Sequence, residues 1–173
     1  MEIRTIRRDE YRALGQLMIE VYSNLDGFPT PEEQPDYYDM LANIGAFNEE
    51  QDSKVVVALS ADGELIGGVV YFGDMARYGS GGTATSERNA SGFRLLAVDP
   101  KYRGAGAGRA LSNACIQLAR DSGRAQVILH TTQAMQVAWG LYERLGFERS
   151  VDLDFDQGGL PVFGFRLQLE ESG

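Results

Sequence analysis

The feature that most restricts the fold is a glycine-rich run, Arg-Gly-Ala-Gly-Ala-Gly-Arg at residues 103–109. It lies between a short apolar strand pattern at 93–98 and an amphipathic helix pattern at 109–120, and the next strand pattern lies at 126–130. A strand that reaches the next strand of its sheet through a helix makes a right-handed crossover, and the two strands run parallel. The sequence therefore predicts a parallel strand pair whose crossover helix begins at a glycine-rich turn, with a binding crevice at the carboxyl ends of the strands.

Hydrophobic periodicity predicts the remaining elements. Apolar residues at helical spacing follow Asp9, and Met135 to Leu145 form the last helix. A capping box at Thr30 and Glu33 indicates a second helix, whose exact start is left open by Pro35. Strands are predicted at 3–6, 54–59, 65–72, 93–98, 126–130, 147–155 and 160–169, and a long Gly-, Ser- and Thr-rich loop at 77–92. This order indicates a mixed sheet flanked by helices, either α+β or α/β, in three α/β/α layers. The length of 173 residues favours a single domain over residues 1–173.

Composition excludes several classes of protein. The chain has 16 Lys and Arg residues and 25 Asp and Glu residues, which give a net charge of −9. This charge argues against nucleic-acid and anionic-membrane partners and favours small cationic partners. The single cysteine, Cys115, excludes an internal disulfide, and with the single histidine, His130, it cannot complete a structural zinc site. The charged N-terminus and the lack of a long apolar run predict a cytoplasmic protein.

The glycine-rich run is predicted to bind an anion. The N-terminus of a helix presents unpaired N–H groups and a partial positive charge, and small residues let phosphate oxygens reach those groups. Lys101, Arg103 and Arg109 add three positive charges with no acidic residue between them. The alternative is a turn chosen only for tight strand–helix packing. Neither the dinucleotide fingerprint nor the P-loop sequence is present, because Arg109 occupies the last glycine position and Ala110 follows it.

Residues 95–111, which read LLAVDPKYRGAGAGRAL, resemble the acetyl-CoA motif of the GNAT superfamily of N-acetyltransferases, with matches at Arg103, Gly106 and Gly108. Residues 141–147, LYERLGF, resemble the second signature of the same family. The resemblance implies a mixed, mostly antiparallel sheet of about seven strands flanked by about four helices. It also implies acetyl-CoA as co-substrate and a splayed β-bulge after the strand at 93–98.

By this resemblance, two groups of residues bind the cofactor. The main chain of Leu96, Ala97 and Val98 would pair with the pantetheine arm. The backbone amides of the run from Arg103 to Arg109 would hold the CoA pyrophosphate, so the expected cradle residues are Arg103, Gly104, Ala105, Gly106, Ala107, Gly108 and Arg109. The family often has an Asn seven residues before its signature tyrosine, whereas this chain has Met135, which suggests an apolar contact instead.

Transfer of an acetyl group to an amine needs an acid for the departing thiolate, an oxyanion donor and a route for the proton of the amine. Tyr142 matches the family's acid. A backbone N–H of Ala97 or Val98 is our candidate for the oxyanion donor. The candidate bases are Glu87, Asp74 and His130. The alternative is a structural role for each: the two acidic residues would be solvated surface carboxylates, and the histidine would only make hydrogen bonds.

Other reactive residues have plainer explanations. Cys115 lies on the apolar face of its helix, which argues against a covalent acyl-cysteine. Asp152, Asp154 and Asp156 alternate with apolar residues, which predicts one solvated strand face that could attract a polyamine or a basic peptide.

The favoured function is acetyl transfer from acetyl-CoA to a primary amine of a small molecule or peptide by direct attack. The alternative is a non-catalytic acyl-CoA-binding regulatory module on the same fold. The sequence does not determine the oligomeric state, and a homodimer is the one assembly that we consider.

Overall fold

The computed structural model describes residues 1–169, which form eight strands and four α-helices. The strands are β1 Glu2–Thr5, β2 Ser53–Leu59, β3 Leu65–Phe72, β4 Ala90–Val98, β5 Gln126–Thr131, β6 Glu148–Arg149, β7 Phe155–Gln157 and β8 Leu160–Gln168. The helices are α1 Tyr11–Ser23, α2 Pro35–Ala42, α3 Ala107–Asp121 and α4 Gln136–Arg144. The strands are hydrogen-bonded in the order β1-β2-β3-β4-β5-β8-β6, with β7 also on β8. The predicted mixed, mostly antiparallel sheet flanked by helices is confirmed.

The chain divides into two compact units, the first of which comprises Met1–Val70 and Leu95–Ala114. Here β1 pairs antiparallel with β2, and β2 continues into β3 through a turn closed by the bond from the Ser60 N–H to the Glu64 carbonyl. Helix α1 buries Leu14 and Met18 completely, and the Leu14 side chain lies where a side chain at Gly68 on β3 would have to go. The helical periodicity of α1 therefore produces one face that packs on the sheet.

The second unit comprises Tyr71–Arg94 and the chain from Cys115 onwards. In it β5 lies between β4, to which it is parallel, and β8, to which it is antiparallel. The parallel pair confirms the crossover predicted from the glycine-rich run. Helix α3 begins at Ala107, two residues before the predicted start, because Gly106 ends the preceding turn.

An irregularity interrupts β4. The parallel ladder between β4 and β5 joins Ala90–Gly92 to Gln126–Ile128. Three residues later, Leu95 adopts a φ of +63°, a left-handed conformation that is strained for a branched side chain. The bulge expected after residue 98 thus corresponds to a kink at Leu95, inside the strand and before the residues predicted to contact pantetheine.

Three predicted elements are wrong in detail. The bonds of the Thr30–Glu33 capping box form, but they close a turn, and α2 begins at Pro35 because the residue before a proline is kept out of the helical conformation. The predicted loop at 77–92 ends early, since β4 already begins at Ala90. The predicted strand at 147–155 is divided into β6, a short turn at Val151–Leu153 and β7, and both strands pair with β8.

The three aspartates therefore do not share one strand face. Asp152 lies in the turn, Asp154 follows it and Asp156 is on β7. Asp154 forms a bidentate ion pair with Arg149, which lowers the pKa of that carboxyl, and Asp156 accepts a hydrogen bond from the Gly159 N–H.

None of the helices among residues 1–169 combines the length and the apolar character that crossing a membrane requires.

Helix α1 approaches α2 so closely that only glycine fits at the contact. A Cβ on Gly15 would lie 2.3 Å from the carbonyl oxygen of Ala42. We expect Gly15→Ala to lower the free energy of unfolding by about 1–3 kcal/mol because the helices must separate. Gln16→Ala, an exposed change in the same helix, is the control and should stay within about 0.5 kcal/mol of wild type in urea unfolding. Equal stability of the two variants would contradict this account of the contact.

Candidate active site

The turn from β4 into α3 has the geometry of an anion cradle. Gly104 and Gly106 adopt φ values of +85° and +88°, and a Cβ on either would project into open space. The first hydrogen bond into α3 runs from the Ala110 N–H to the Gly106 carbonyl. The N–H groups of residues 107–109 therefore precede the first donor of the helix and point out of its N-terminus.

The cations predicted for this turn are available to an anion. Lys101, Arg103 and Arg109 are exposed. The ion pairs among residues 1–169 use Arg4, Arg8, Arg149 and Arg166, and none uses these three residues. Their charges add to the positive end of the α3 dipole, so the turn is an electropositive site in an acidic protein.

Side chains from neighbouring segments hold the cradle in place. Asp99 accepts a hydrogen bond from the Lys101 N–H at 3.0 Å, and its own N–H donates to the carbonyl of Ile66 on β3 at 2.8 Å. The Tyr102 hydroxyl donates to the Glu64 carboxylate at 2.7 Å, which raises the pKa of Tyr102. Sequence reasoning missed this contact because 38 residues separate its partners.

The residues predicted to contact pantetheine lie just after the kink in β4. Ala97 is buried, whereas Leu96 and Val98 are half-buried. The Leu96 carbonyl already accepts a hydrogen bond from the Tyr22 hydroxyl of α1 at 3.0 Å. The strained φ of Leu95 alters the direction of the main chain at this point, and strain of this kind is concentrated at functional sites.

Tyr142 is part of a buried aromatic group in the second unit. Its ring packs edge-on against Phe93 of β4 and Phe147, with centroid distances of 5.8 and 5.9 Å. Only 5% of the residue is exposed. Burial raises the pKa of Tyr142 well above that of an ordinary phenol, and the nearby Tyr78 and Cys115 act in the same direction. The side chain is therefore a neutral phenol that holds its proton at physiological pH.

His130 is engaged at both ring nitrogens. Nε2 lies 2.9 Å from the Leu153 carbonyl, which can only accept, so Nε2 carries the hydrogen. Nδ1 then accepts a hydrogen bond from the hydroxyl of Tyr78, a fully buried residue, also at 2.9 Å. Burial, assisted by the charge of Arg94, lowers the pKa of His130. These contacts favour the structural role for the histidine over proton transfer.

The candidate carboxylate bases also have partners. Glu87 receives a hydrogen bond from Arg166 of β8 at 2.6 Å. The same guanidinium donates to Asp152 at 2.5 Å, to Gln126 at 2.8 Å and to Ser150 at 2.7 Å, so it joins β8 to three other segments of the second unit. The exposed Asp74 accepts from the Ala76 N–H at 2.9 Å and caps a short turn. Both carboxylates have structural roles here.

Cys115 is completely buried, and burial raises the pKa of its thiol. A thiolate nucleophile is unfavourable in such surroundings, as the sequence indicated. No group of three or more His, Cys, Asp or Glu side chains within residues 1–169 is arranged to hold a metal ion.

The sequence pattern that defines the acetyltransferase (GNAT) family matches residues 14–147. The match includes the kinked strand, the glycine turn and α4, and it covers well over half of the chain. The chain therefore belongs to the acetyltransferase (GNAT) family, as its two motifs predict. Membership in this family supports the prediction that the chain is an acyl-CoA-dependent acetyltransferase.

Solved structures share the whole fold. The acetyltransferase yncA from Salmonella typhimurium, described as putative and solved with acetyl-CoA, superposes with a TM-score of 0.68 and 20% identity, covering 100% of this chain and 96% of that one. The paia N-acetyltransferase from Thermoplasma acidophilum, solved with coenzyme A, gives a TM-score of 0.69 and 17% identity over 94% of this chain and 96% of that one.

Among curated relatives, the mycothiol acetyltransferase of Cellulomonas flavigena is 37% identical over 112 residues, which cover 61% of this chain and 31% of that protein. The chain spans less than a third of the length of the curated relatives it matches.

The buried histidine makes stability depend on pH. The pKa of His130 in the folded chain is below the value of about 6.5 found in unfolded chains, so the unfolded chain binds the proton more readily. The associated stability is fully present above pH ~6.5 and is lost as the pH falls below that value. We expect the free energy of unfolding to decrease between pH 7.5 and 5 in urea titrations.

The control is His130→Gln, which retains a donor for Leu153 but does not titrate. Because His130 is the only histidine in the chain, this variant should lose most of the pH dependence above pH 5, where ordinary carboxyl groups remain ionised. Identical slopes for the two proteins would show that another group is responsible.

Proposed function

We propose that the chain is an N-acetyltransferase that moves the acetyl group of acetyl-CoA to a primary amine of a small molecule or peptide. The observation that carries the proposal is the left-handed Gly104–Gly106 turn, which leads into the N-terminus of α3 beside three cations that form no ion pair with any of residues 1–169. In this proposal both units serve one N-acetyltransferase domain over residues 1–173, and the protein acts in the cytoplasm.

The cradle would bind the pyrophosphate of the cofactor. The backbone amides of Gly104 and of residues 106–109 donate to the phosphate oxygens, since those of Arg103 and Ala105 already donate to the Pro100 and Tyr102 carbonyls, and Arg103 and Arg109 neutralise the phosphate charge. The main chain of residues 96–98 pairs with the amides of the pantetheine arm. A backbone N–H of Ala97 or Val98 would donate to the oxyanion, because a group fixed in a strand needs little reorganisation in the transition state.

In the chemical step, the neutral amine nitrogen attacks the thioester carbonyl carbon and forms the new C–N bond. The tetrahedral intermediate collapses with cleavage of the C–S bond, and the departing thiolate takes the proton of the Tyr142 hydroxyl. Burial keeps the Tyr142 phenol protonated, so the side chain has a proton that it can donate to the departing thiolate. The proton of the amine passes to water in this scheme, since Glu87 and Asp74 already have partners, and water returns a proton to the Tyr142 phenolate before the next turnover.

The first test concerns the cradle. Gly106→Ala should weaken acetyl-CoA binding about tenfold or more in calorimetry, because alanine disfavours the left-handed turn and its Cβ occupies the space above it. Gly123→Ala is the matched control: it has a φ of +71° and open space around its Cβ, at the other end of α3. Equal affinities for the two variants would remove the cradle assignment.

The second test concerns the acid. Tyr142→Phe should lower kcat by about 10²- to 10⁴-fold with little change in acetyl-CoA affinity, because only the proton is lost. Tyr71→Phe removes another buried hydroxyl, which bonds to Ser91 at 2.8 Å, and should leave transfer unchanged. Transfer by Tyr142→Phe at the wild-type rate would refute the assignment. Acetyl-CoA binding by wild type without transfer to any amine would favour the regulatory module.

A further inference from the structure

Four aromatic rings meet where the chain passes from α1 to α2, in the first unit. This ring cluster consists of Tyr22, Phe28, Tyr37 and Tyr38. The ring centroids of Tyr22 and Phe28 lie 5.4 Å apart, those of Phe28 and Tyr37 5.7 Å, and those of Tyr37 and Tyr38 5.8 Å. Tyr22 and Tyr38 are buried, whereas Phe28 and Tyr37 are half-buried and keep part of their surface in contact with solvent. Solvent can therefore reach one side of the cluster.

Hydrogen bonds hold the cluster in a defined place. The Tyr38 hydroxyl donates to the Pro29 carbonyl at 2.7 Å, which closes the segment between the two helices. The Tyr22 hydroxyl donates to the Leu96 carbonyl at 3.0 Å, which places the cluster against the part of β4 assigned to the pantetheine arm. A preorganised surface loses little entropy when it binds a ligand.

The segment that carries the cluster has charged residues of only one sign. Residues 13–53 contain no Lys, Arg or His and nine acidic residues: Glu20, Asp26, Glu32, Glu33, Asp36, Asp39, Glu49, Glu50 and Asp52. Their number equals the entire net charge of −9, so the rest of the chain is balanced. Of the nine, only Glu49 forms an ion pair within residues 1–169. Glu32 and Glu33 lie near enough to Tyr38 to reinforce the effect of burial in raising its pKa.

We infer that the ring cluster binds a second positive charge of the acceptor, so that the acceptor is a small amine with a permanent cation near the nitrogen that is acetylated. This inference rests on the proposed function. Aromatic faces attract an ammonium group that lies within about 6 Å of the ring centroid, and the surrounding carboxylates increase the local concentration of cations. A neutral amine of the same shape would gain only the apolar contact. The half-buried rings therefore act as a specificity determinant beside β4.

Two probes with the same shape separate charge from size. (2-Aminoethyl)trimethylammonium carries a permanent positive charge, and 3,3-dimethylbutylamine replaces its quaternary nitrogen with carbon. We expect wild type to acetylate the charged probe with a kcat/KM at least about tenfold higher at low ionic strength, with a smaller preference in high salt. The two amines differ in intrinsic basicity, so the preference is compared between variants, where that difference cancels.

Phe28→Leu retains an apolar side chain and removes the π face, so it should reduce the preference for the charged probe about fivefold. Phe163→Leu, which removes a half-buried ring on β8 in the second unit, should keep the wild-type preference. Equal preference in wild type and Phe28→Leu, or no transfer to either probe by protein that binds acetyl-CoA, would overturn the inference while leaving the cofactor site in place. Failure of wild type to bind acetyl-CoA would instead refute the proposed function.

Discussion

The turn that joins β4 to α3 imposes a requirement on the main chain that most residues cannot meet. Gly104 and Gly106 both adopt left-handed φ values, and the helix starts immediately after the second of them, at Ala107. This abrupt start exposes the amides of the first turn together, without a side chain to cover them. The bond from the Asp99 N–H to the Ile66 carbonyl and the bond from Tyr102 to Glu64 then fix the turn to the β2–β3 hairpin. The proposed anion site thus depends on the left-handed glycines that let the helix begin at this point.

Charge is separated within the first unit. The cradle carries three cations without ion-pair partners in the described chain, while residues 13–53 supply acidic residues and no basic ones. The Tyr22 hydroxyl joins the acidic segment to β4, the strand that precedes the cradle, through the Leu96 carbonyl. An enzyme that binds an anionic cofactor and a cationic acceptor needs this separation, because a single uniform charge would repel one of the two substrates. The overall net charge conceals the arrangement.

The second unit handles its polar groups differently. The Tyr78 hydroxyl and His130 satisfy each other and the Leu153 carbonyl, and Arg166 gathers four acceptors from distant parts of the chain. Buried polar groups stabilise a fold only when they have partners, and here each connects a strand to a loop. Glu87, a plausible base on the basis of sequence, is used in this way. Tyr142 lies in the same unit among aromatic rings, where burial keeps its phenol protonated.

The sequence by itself determined the succession of elements, the glycine turn between β4 and α3, the cations around it and the tyrosine of the second motif. These features are local: periodicity, capping and left-handed glycines act over a few residues, so their patterns can be read directly. The same local reading failed at Pro35, where one proline outweighed a capping box that does form its bonds.

Only the tertiary structure decided the kink at Leu95, the division of the last hairpin and the partners of the functional candidates. Tyr22 and Leu96 are 74 residues apart, Tyr78 and His130 are 52 apart, and Glu87 and Arg166 are 79 apart. No short-range pattern specifies such pairs, because they form only when packing of the sheet brings distant segments together. That packing also determines which carboxylates remain unpaired. The family motif is local and could be recognised in the sequence, whereas the ring cluster beside β4 depends on packing and could not.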